Sequence, residues 1–421
     1  MFGSLFLKEC KMWTKSIVFY AYVIILFLFY ITQMGEENVL EKPQPNQESY
    51  GTTYSEDENE IMNGTLKDLI ADYDIGSFAT YPVGFYKQVT LSEEEMAVIE
   101  DAVSDLTGMT KEQWQAEYDA YIEGYTADFD ENGVYVEEET VPWSITISEN
   151  LTYDKFKEIM KKVSETIGPG SNYSENNLKK HSIVSKTYEQ ALKEYEAILE
   201  KDKVTGAYAR LFCDYIGIIL GILPAFFAVT RGIRDKRSQV SSVIYSKKAG
   251  SVSVVFSRYL GMVVMMLLPV LVISCFSMAQ SLYIADAAGV SPDYLAYVKY
   301  VMGWLLPIIL FVAALACFVT ELTESMLGIL VSAVVWFTSV FMGMSDFLRH
   351  AGWNLIPRFN TVGEYEVFQD MRNQLIYNRI FYVIISIVII AVSVFVYNKK
   401  RKGVYQIHGK VFKNRRSKCE A

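Results

Sequence analysis

Apolar residues along this chain come in long blocks separated by polar segments. Six blocks of about 18 to 20 mostly apolar residues occupy positions 16–34, 211–229, 260–279, 301–319, 326–344 and 380–397. Each is close to the length a helix needs to cross a hydrocarbon layer roughly 30 Å thick. Segment 35–206, between the first two blocks, is long and polar; the later gaps are short except for 345–379. The pattern predicts an α-helical integral membrane protein with six transmembrane helices and an α+β domain inserted between the first and second.

Finer periodicities fill in the rest. Phe2, Leu5, Phe6, Cys10 and Trp13 alternate with Lys8, Glu9, Lys11 and Lys15, which predicts an amphipathic interfacial helix over 1–15. Within 35–206, segment 35–60 reads as a flexible linker, rich in Glu, Asn, Gln, Pro and Ser, with order beginning near Ile61. Ser92 with Glu95 and Thr110 with Gln113 are capping boxes that open helices to about Leu106 and about Tyr125. Residues 134–136 and 143–147 alternate as strands do, and Thr152 starts a helix closed by Gly168-Pro169-Gly170. From about Ser185 a helical pattern runs towards the second span, 207–230, as a continuous lever. The outer loop 345–379 mixes Phe347, Trp353, Leu355, Ile356, Phe359 and Val362 with few charges, which suggests short interfacial or re-entrant helices. Pro224, Pro269 and Pro307 predict kinks in three spans, where neighbouring helices can satisfy the freed carbonyls.

Charge adds an orientation. The net charge of −10 conceals a division: segment 36–206 holds 37 of the 49 acidic residues and 14 lysines but no arginine. Lys and Arg cluster instead before the first span, in the loop 231–256, and in the tail 399–421. By the positive-inside rule those three face the cytoplasm with both termini, and the acidic domain lies outside. A secretory signal is the rival reading of the first block, but the run is long for one and Gly35-Glu36-Glu37-Asn38 offers no small-residue cleavage site. The acidic charge argues against nucleic acid as a partner and keeps an exposed domain soluble. None of the five cysteines falls in the outer domain, so no disulfide framework is expected there. A Cys-free outer domain suits a bacterial plasma membrane.

Candidate chemistry is sparse. Asp128, Asp130, Asn132 and Glu139 have the spacing of a calcium-binding EF-hand loop. An Asn132-Gly133 hairpin turn is the competing reading, favoured by the strand-like residues and Pro142 that follow. Arg210 and Asp214, four residues apart near the outer end of the second span, read as a structural ion pair rather than a substrate or proton site. Glu321 and Glu324 fall in the tight turn between the fourth and fifth spans, as a secondary cytoplasmic contact or a solvated turn. His181, His350 and His408 are isolated from one another and from the cysteines, so no metal cluster or catalytic centre is expected.

The most informative segment is the loop after the second span. Arg234, Asp235, Lys236 and Arg237 precede a short stretch in which Val240, Val243 and Ile244 would form one apolar edge of a helix; Lys247 and Lys248 follow, and Ser257-Arg258-Tyr259-Leu260-Gly261 enters the third span. A loop that merely fixes topology is the plainer reading. In its order of elements the segment resembles the permeases of type 2 ABC exporters. Many of those carry a Glu-Arg-Gly-Thr run where this chain has Asp235-Lys236-Arg237-Ser238. The resemblance covers the membrane part, 1–34 and 207–398, and the presence of an outer insertion after the first span and of a long outer loop before the last agrees with it. It implies that the segment is a coupling helix docking onto a separate cytoplasmic ATP-binding-cassette ATPase. It further implies a dimer with a second permease copy or a paralogue in the bilayer.

No phosphate-binding Gly-x-x-x-x-Gly-Lys-Ser/Thr loop occurs, so ATP and magnesium are expected in the partner subunit, with no cofactor and no catalysis in this chain. The expected function is a non-enzymatic permease subunit that moves a substrate across the membrane. The alternative is a non-transporting receptor or scaffold with a ligand-binding outer domain.

Overall fold

A computed structural model describes residues 2–35, 40–82, 86–129, 135–345 and 352–403. The chain forms two compact units, one made of residues 1–42 with 192–421 and the other, 43–191, inserted within it.

Helices α1 (Phe2–Trp13) and α2 (Ile17–Met34) begin the first unit. The amphipathic helix is present, but its tryptophan does not lie at a water interface. Trp13 is 1% exposed and stacks on Phe227 with ring centroids 4.4 Å apart. The α1 face that carries it is therefore a packing face.

The inserted unit starts earlier than its composition suggests. Strand β1 (Thr52–Tyr54) and helix α3 (Glu58–Ile75) fall in or begin within the expected linker. Asp57 caps α3 by accepting from Asn59 N and Glu60 N, and β1 is held by a distant partner strand. The chain continues through β2 (Phe78–Thr80), β3 (Lys87–Val89), α4 (Glu93–Thr107) and α5 (Lys111–Gly124). Both predicted capping boxes are formed. Then come β4 (Tyr125–Phe129), β5 (Tyr135–Glu139), α6 (Tyr153–Ile167), β6 (Ile183–Ser185) and α7 (Tyr188–Glu200). β1 pairs with β6, β2 with β3 and β4 with β5, all antiparallel. Residues 143–147 form no strand. Trp143 donates its indole N–H to Ile145 O, and Ile147 N donates to the Asn63 side chain. Scattered partners of this kind satisfy the backbone without a ladder. Leu66, Leu69, Val103, Trp114 and Phe156 lie at the centre of this unit's core.

α7 ends at Glu200 and does not run on as a lever. Lys203 and Val204 take positive φ of 52° and 60°, a conformation a β-branched residue adopts only under packing constraint, and α8 (Thr205–Leu220) starts afresh. The remaining helices are α9 (Leu223–Arg237), α10 (Ser241–Tyr245), α11 (Ser251–Ala287), α12 (Ala296–Tyr300), α13 (Leu306–Thr323), α14 (Leu327–Ser345) and α15 (Tyr365–Arg401). Among the described residues five helical stretches are long and apolar enough to cross a membrane: 17–34, 205–237, 251–287, 296–323 and 365–401. The apolar run in α14 whose side chains are described, Leu327–Phe341, is shorter. α13 packs against α9, α11, α14 and α15.

The three prolines act differently. Near Pro224 the helix breaks between α8 and α9, and the Trp336 indole donates to Ile218 O at 2.8 Å. Before Pro307 the chain makes a π-turn over Val301–Leu305, where Arg379 reaches Trp304 O. Pro269 lies inside the unbroken α11, where the Tyr22 hydroxyl donates to Met266 O at 2.8 Å.

In the loop between α14 and α15, residues 346–351 and the expected contributor Phe347 lie outside the described residues. From 352 to 364 the backbone is irregular, with no re-entrant helix, yet Leu355, Ile356 and Phe359 are buried. Polar side chains supply what a helix would have satisfied internally. Asp214 accepts from Phe359 N at 2.5 Å, Asn354 from Ile356 N, and Arg379 donates to the carbonyls of Asn354 and Leu355.

Candidate functional site

At the end of the first unit where α1, α9 and α15 carry basic last turns and α13 ends beside Glu321 and Glu324, charged groups converge. Arg231 on α9 is the hub. Its Nε and Nη2 donate to both carboxylate oxygens of Glu9 on α1, at 2.8 and 2.7 Å, and its Nη1 donates to Asp235 at 3.0 Å. Arg258 on α11 pairs with the other Asp235 oxygen at 2.7 Å. The fork-to-carboxylate geometry is the strong kind, and the groups are largely shielded from water. Close approach makes it possible: a Cβ on Gly261 of α11 would stand 3.0 Å from Glu9 Cβ.

A second knot joins α13 to α15. Lys400 is 3% exposed at its side chain, lies 3.4 Å from Glu321 and 3.1 Å from Glu324, and also donates to Glu321 O. Lys236 on α9 reaches Glu324 at 2.7 Å. Burial raises the Glu324 carboxyl, but hydrogen bonds from Lys236 and Lys400 outweigh it and hold the group below its usual value. Glu321 and Glu324 are therefore bridged inside the unit rather than left in a solvated turn.

The connection 238–250 rests on this platform. α10 is one short helix, and its trailing carbonyls are gathered by one guanidinium. Arg401 donates to Tyr245 O, Ala249 O and Lys247 O at 2.9, 2.5 and 2.5 Å. The Tyr245 and Tyr397 rings meet edge to face beneath it. Val243 is 55% exposed and Val240 39%, while Ile244 is half-buried. Arg234, Lys236, Arg237, Lys247 and Lys248 are exposed around them. The predicted residues are thus brought together with an apolar edge ringed by cations facing outwards, whereas Asp235 turns into the ion network.

Glu9, Arg231, Arg258, Lys400 and Arg401 belong to the site and were not singled out by sequence. Glu9 carried a signal: with Phe6, Cys10 and Trp13 it falls at helical spacing on the apolar face of α1. An acid on an apolar face requires a buried partner.

The other predicted groups lie elsewhere. Arg210 and Asp214 do not pair with each other. Arg210 donates to both oxygens of Asp202 at 2.5 and 2.6 Å, while Asp214 takes Arg358 at 3.0 Å. The turn at 203–204 brings Asp202 onto the first turns of α8, and the buried segment 352–362 delivers Arg358, so each charge meets a better-aligned partner than its neighbour four residues away. Of the calcium-loop residues, Asp130 and Asn132 lie outside the described residues. Asp128 and Glu139 sit on β4 and β5, opposite Val136 and Tyr125 in an antiparallel hairpin, where an EF-hand would place an exiting helix. His181 sits between Asp68, at 2.6 Å, and Asn172 O, and stacks on Tyr173. His350 and His408 lie outside the described residues. Among the described residues no group of three His, Cys, Asp or Glu could hold a metal.

No family model, curated protein or solved structure matches the chain.

Proposed function

We propose that the chain is the membrane-spanning permease subunit of an ATP-binding-cassette exporter and that α10 is its coupling helix. The observation that carries this reading is the outward apolar edge of Val240 and Val243, ringed by cations and set on a clamped platform. A short helix held this way transmits displacement: Arg401 passes it to α15, Asp235 and Arg258 to α11, and Lys236 through Glu324 towards α13. Ion pairs shielded from water resist shear better than a flexible loop would.

In this reading α14 is the fifth of six spans, both termini and α10 face the cytoplasm of a bacterial cell, and the inserted acidic unit lies outside. A cytoplasmic ATPase binds ATP and magnesium and docks on α10. A second permease copy or paralogue completes the path, and the substrate moves without covalent chemistry. The double variant Val243→Asp, Ile244→Asp tests the docking edge. It is expected to reach the membrane at wild-type level and to lose its ATPase partner; retained partner binding would refute the coupling role.

A further inference from the structure

At the opposite end of the first unit, between α12, the π-turn and the first half of α15, lies a groove of about 520 Å³. Its floor is apolar and aromatic: Trp304, Leu375, Ile376 and Ile380, with Ile376 and Ile380 substantially exposed. Its rim is charged, with Lys201, Lys299, Arg372 and Arg379 against only Asp202 and Asp293.

The pairing within the groove leaves a surplus of positive charge. Asp202 is taken by Arg210, Asp293 by Lys299, and Lys201 reaches Glu366 outside the lining. Arg379 is 5% exposed and, among the described residues, donates only to the carbonyls of Trp304, Asn354 and Leu355 and to the Asn378 side chain. Carbonyl dipoles satisfy its N–H groups without cancelling its charge. Arg372 is exposed at the mouth and, among the described residues, reaches only Gln369, at 3.5 Å. On the floor the Trp304 indole N–H is buried with no acceptor among the described residues. A surplus of cations above an apolar trough with an orphan donor is a two-part recognition surface.

We propose that this groove binds an anionic amphiphile, its phosphate or carboxylate headgroup held at Arg372 and by the remaining ammonium donors of the Asp293-paired Lys299, in the field of Arg379, and its chain laid over Trp304, Ile376 and Ile380. Arg372 supplies a planar fork suited to either headgroup. The apolar floor distinguishes such a ligand from a free anion, and the charged rim distinguishes it from a neutral lipid. The site is independent of the transport reading, because it is built from groups remote from α10.

The test is calorimetric titration of the full-length protein, in a neutral detergent, with short-chain phosphatidylglycerol, short-chain phosphatidylcholine and inorganic phosphate. Saturable binding of phosphatidylglycerol is expected, at least about tenfold tighter than that of the zwitterionic lipid. Arg372→Gln and, separately, Lys299→Gln should weaken phosphatidylglycerol about tenfold and leave phosphatidylcholine unchanged. Ile376→Ala should weaken both lipids. Equal affinity for the two lipids, phosphatidylglycerol binding unaffected by either charge variant, or inorganic phosphate binding as tightly as the lipid would each overturn the proposal.

Discussion

The two ends of the helical unit treat buried charge in opposite ways. At the α10 end, Arg231 faces two carboxylates, Arg258 shares one of them, and Lys400 bridges two more. At the other end, Arg210 pairs with Asp202 and Asp214 with Arg358, but among the described residues Arg379 spends its donors on neutral carbonyls and the Asn378 side chain. The first arrangement ties helices to one another. The second fixes an irregular segment in place and leaves a positive field beside an open groove. Matched charge suits a part that must move as one body, and unmatched charge suits a part that meets a ligand.

The largest effect that would break this contrast is expected at the hub. Arg231→Gln takes from Glu9 its two-pronged partner in a shielded site, leaving it only Arg258 at 3.9 Å while Asp235 keeps Arg258 at 2.7 Å, and should cost about 3–5 kcal/mol, seen as a large fall in the thermal midpoint of the detergent-solubilised protein. Replacing Glu9 and Arg231 together with Met should recover most of that loss, since neither charge is then left alone. If the double variant melts as low as the single one, the ion pair is not the source of the effect.

Arg379→Gln should cost less, about 1–3 kcal/mol. It unpairs carbonyls of the segment 352–362, but it also removes a charge that has no carboxylate partner among the described residues. A loss as large as that at Arg231 would mean that the two ends are built alike.

The smallest effect concerns Glu324. Its carboxyl titrates below the usual value because Lys236 and Lys400 favour the ionised form. A depressed carboxyl adds stability that is complete above the unfolded-state value and is lost as pH falls through the folded-state one. The gap in thermal midpoint between wild type and Glu324→Gln should therefore be full near neutral pH and close as pH falls through the lowered value of the folded-state carboxyl. Because Lys236 is 61% exposed at its side chain, Lys236→Gln alone should change stability by less than about 1 kcal/mol.

What the sequence revealed follows the range of the forces involved. Local rules were legible: the capping boxes at Ser92 and Thr110, the apolar blocks, the break near Pro224 and the short helix after Arg237 all depend on residues within a turn or two. The misassignments were non-local. Arg210 was matched to Asp214 by helical spacing, but the turn at Lys203 and Val204 placed Asp202 closer. Residues 143–147 alternate like a strand, yet no partner strand is brought beside them. Trp13 and Glu9 looked like interfacial residues because Phe227 and Arg231, over 200 positions away, are invisible to periodicity. The groove has the same origin, since its rim is drawn from three separate stretches of chain. No local pattern marks it.

The central claim is that α10 is a docking element for a separate ATPase. The most direct measurement is to purify the full-length protein from its native membranes in mild detergent, without crosslinking, and to identify and quantify accompanying chains by mass spectrometry. A stoichiometric subunit with an ATP-binding cassette is expected, absent from the Val243→Asp, Ile244→Asp preparation. Recovery of the intact protein with no ATPase would contradict the proposed coupling role and favour a receptor or scaffold.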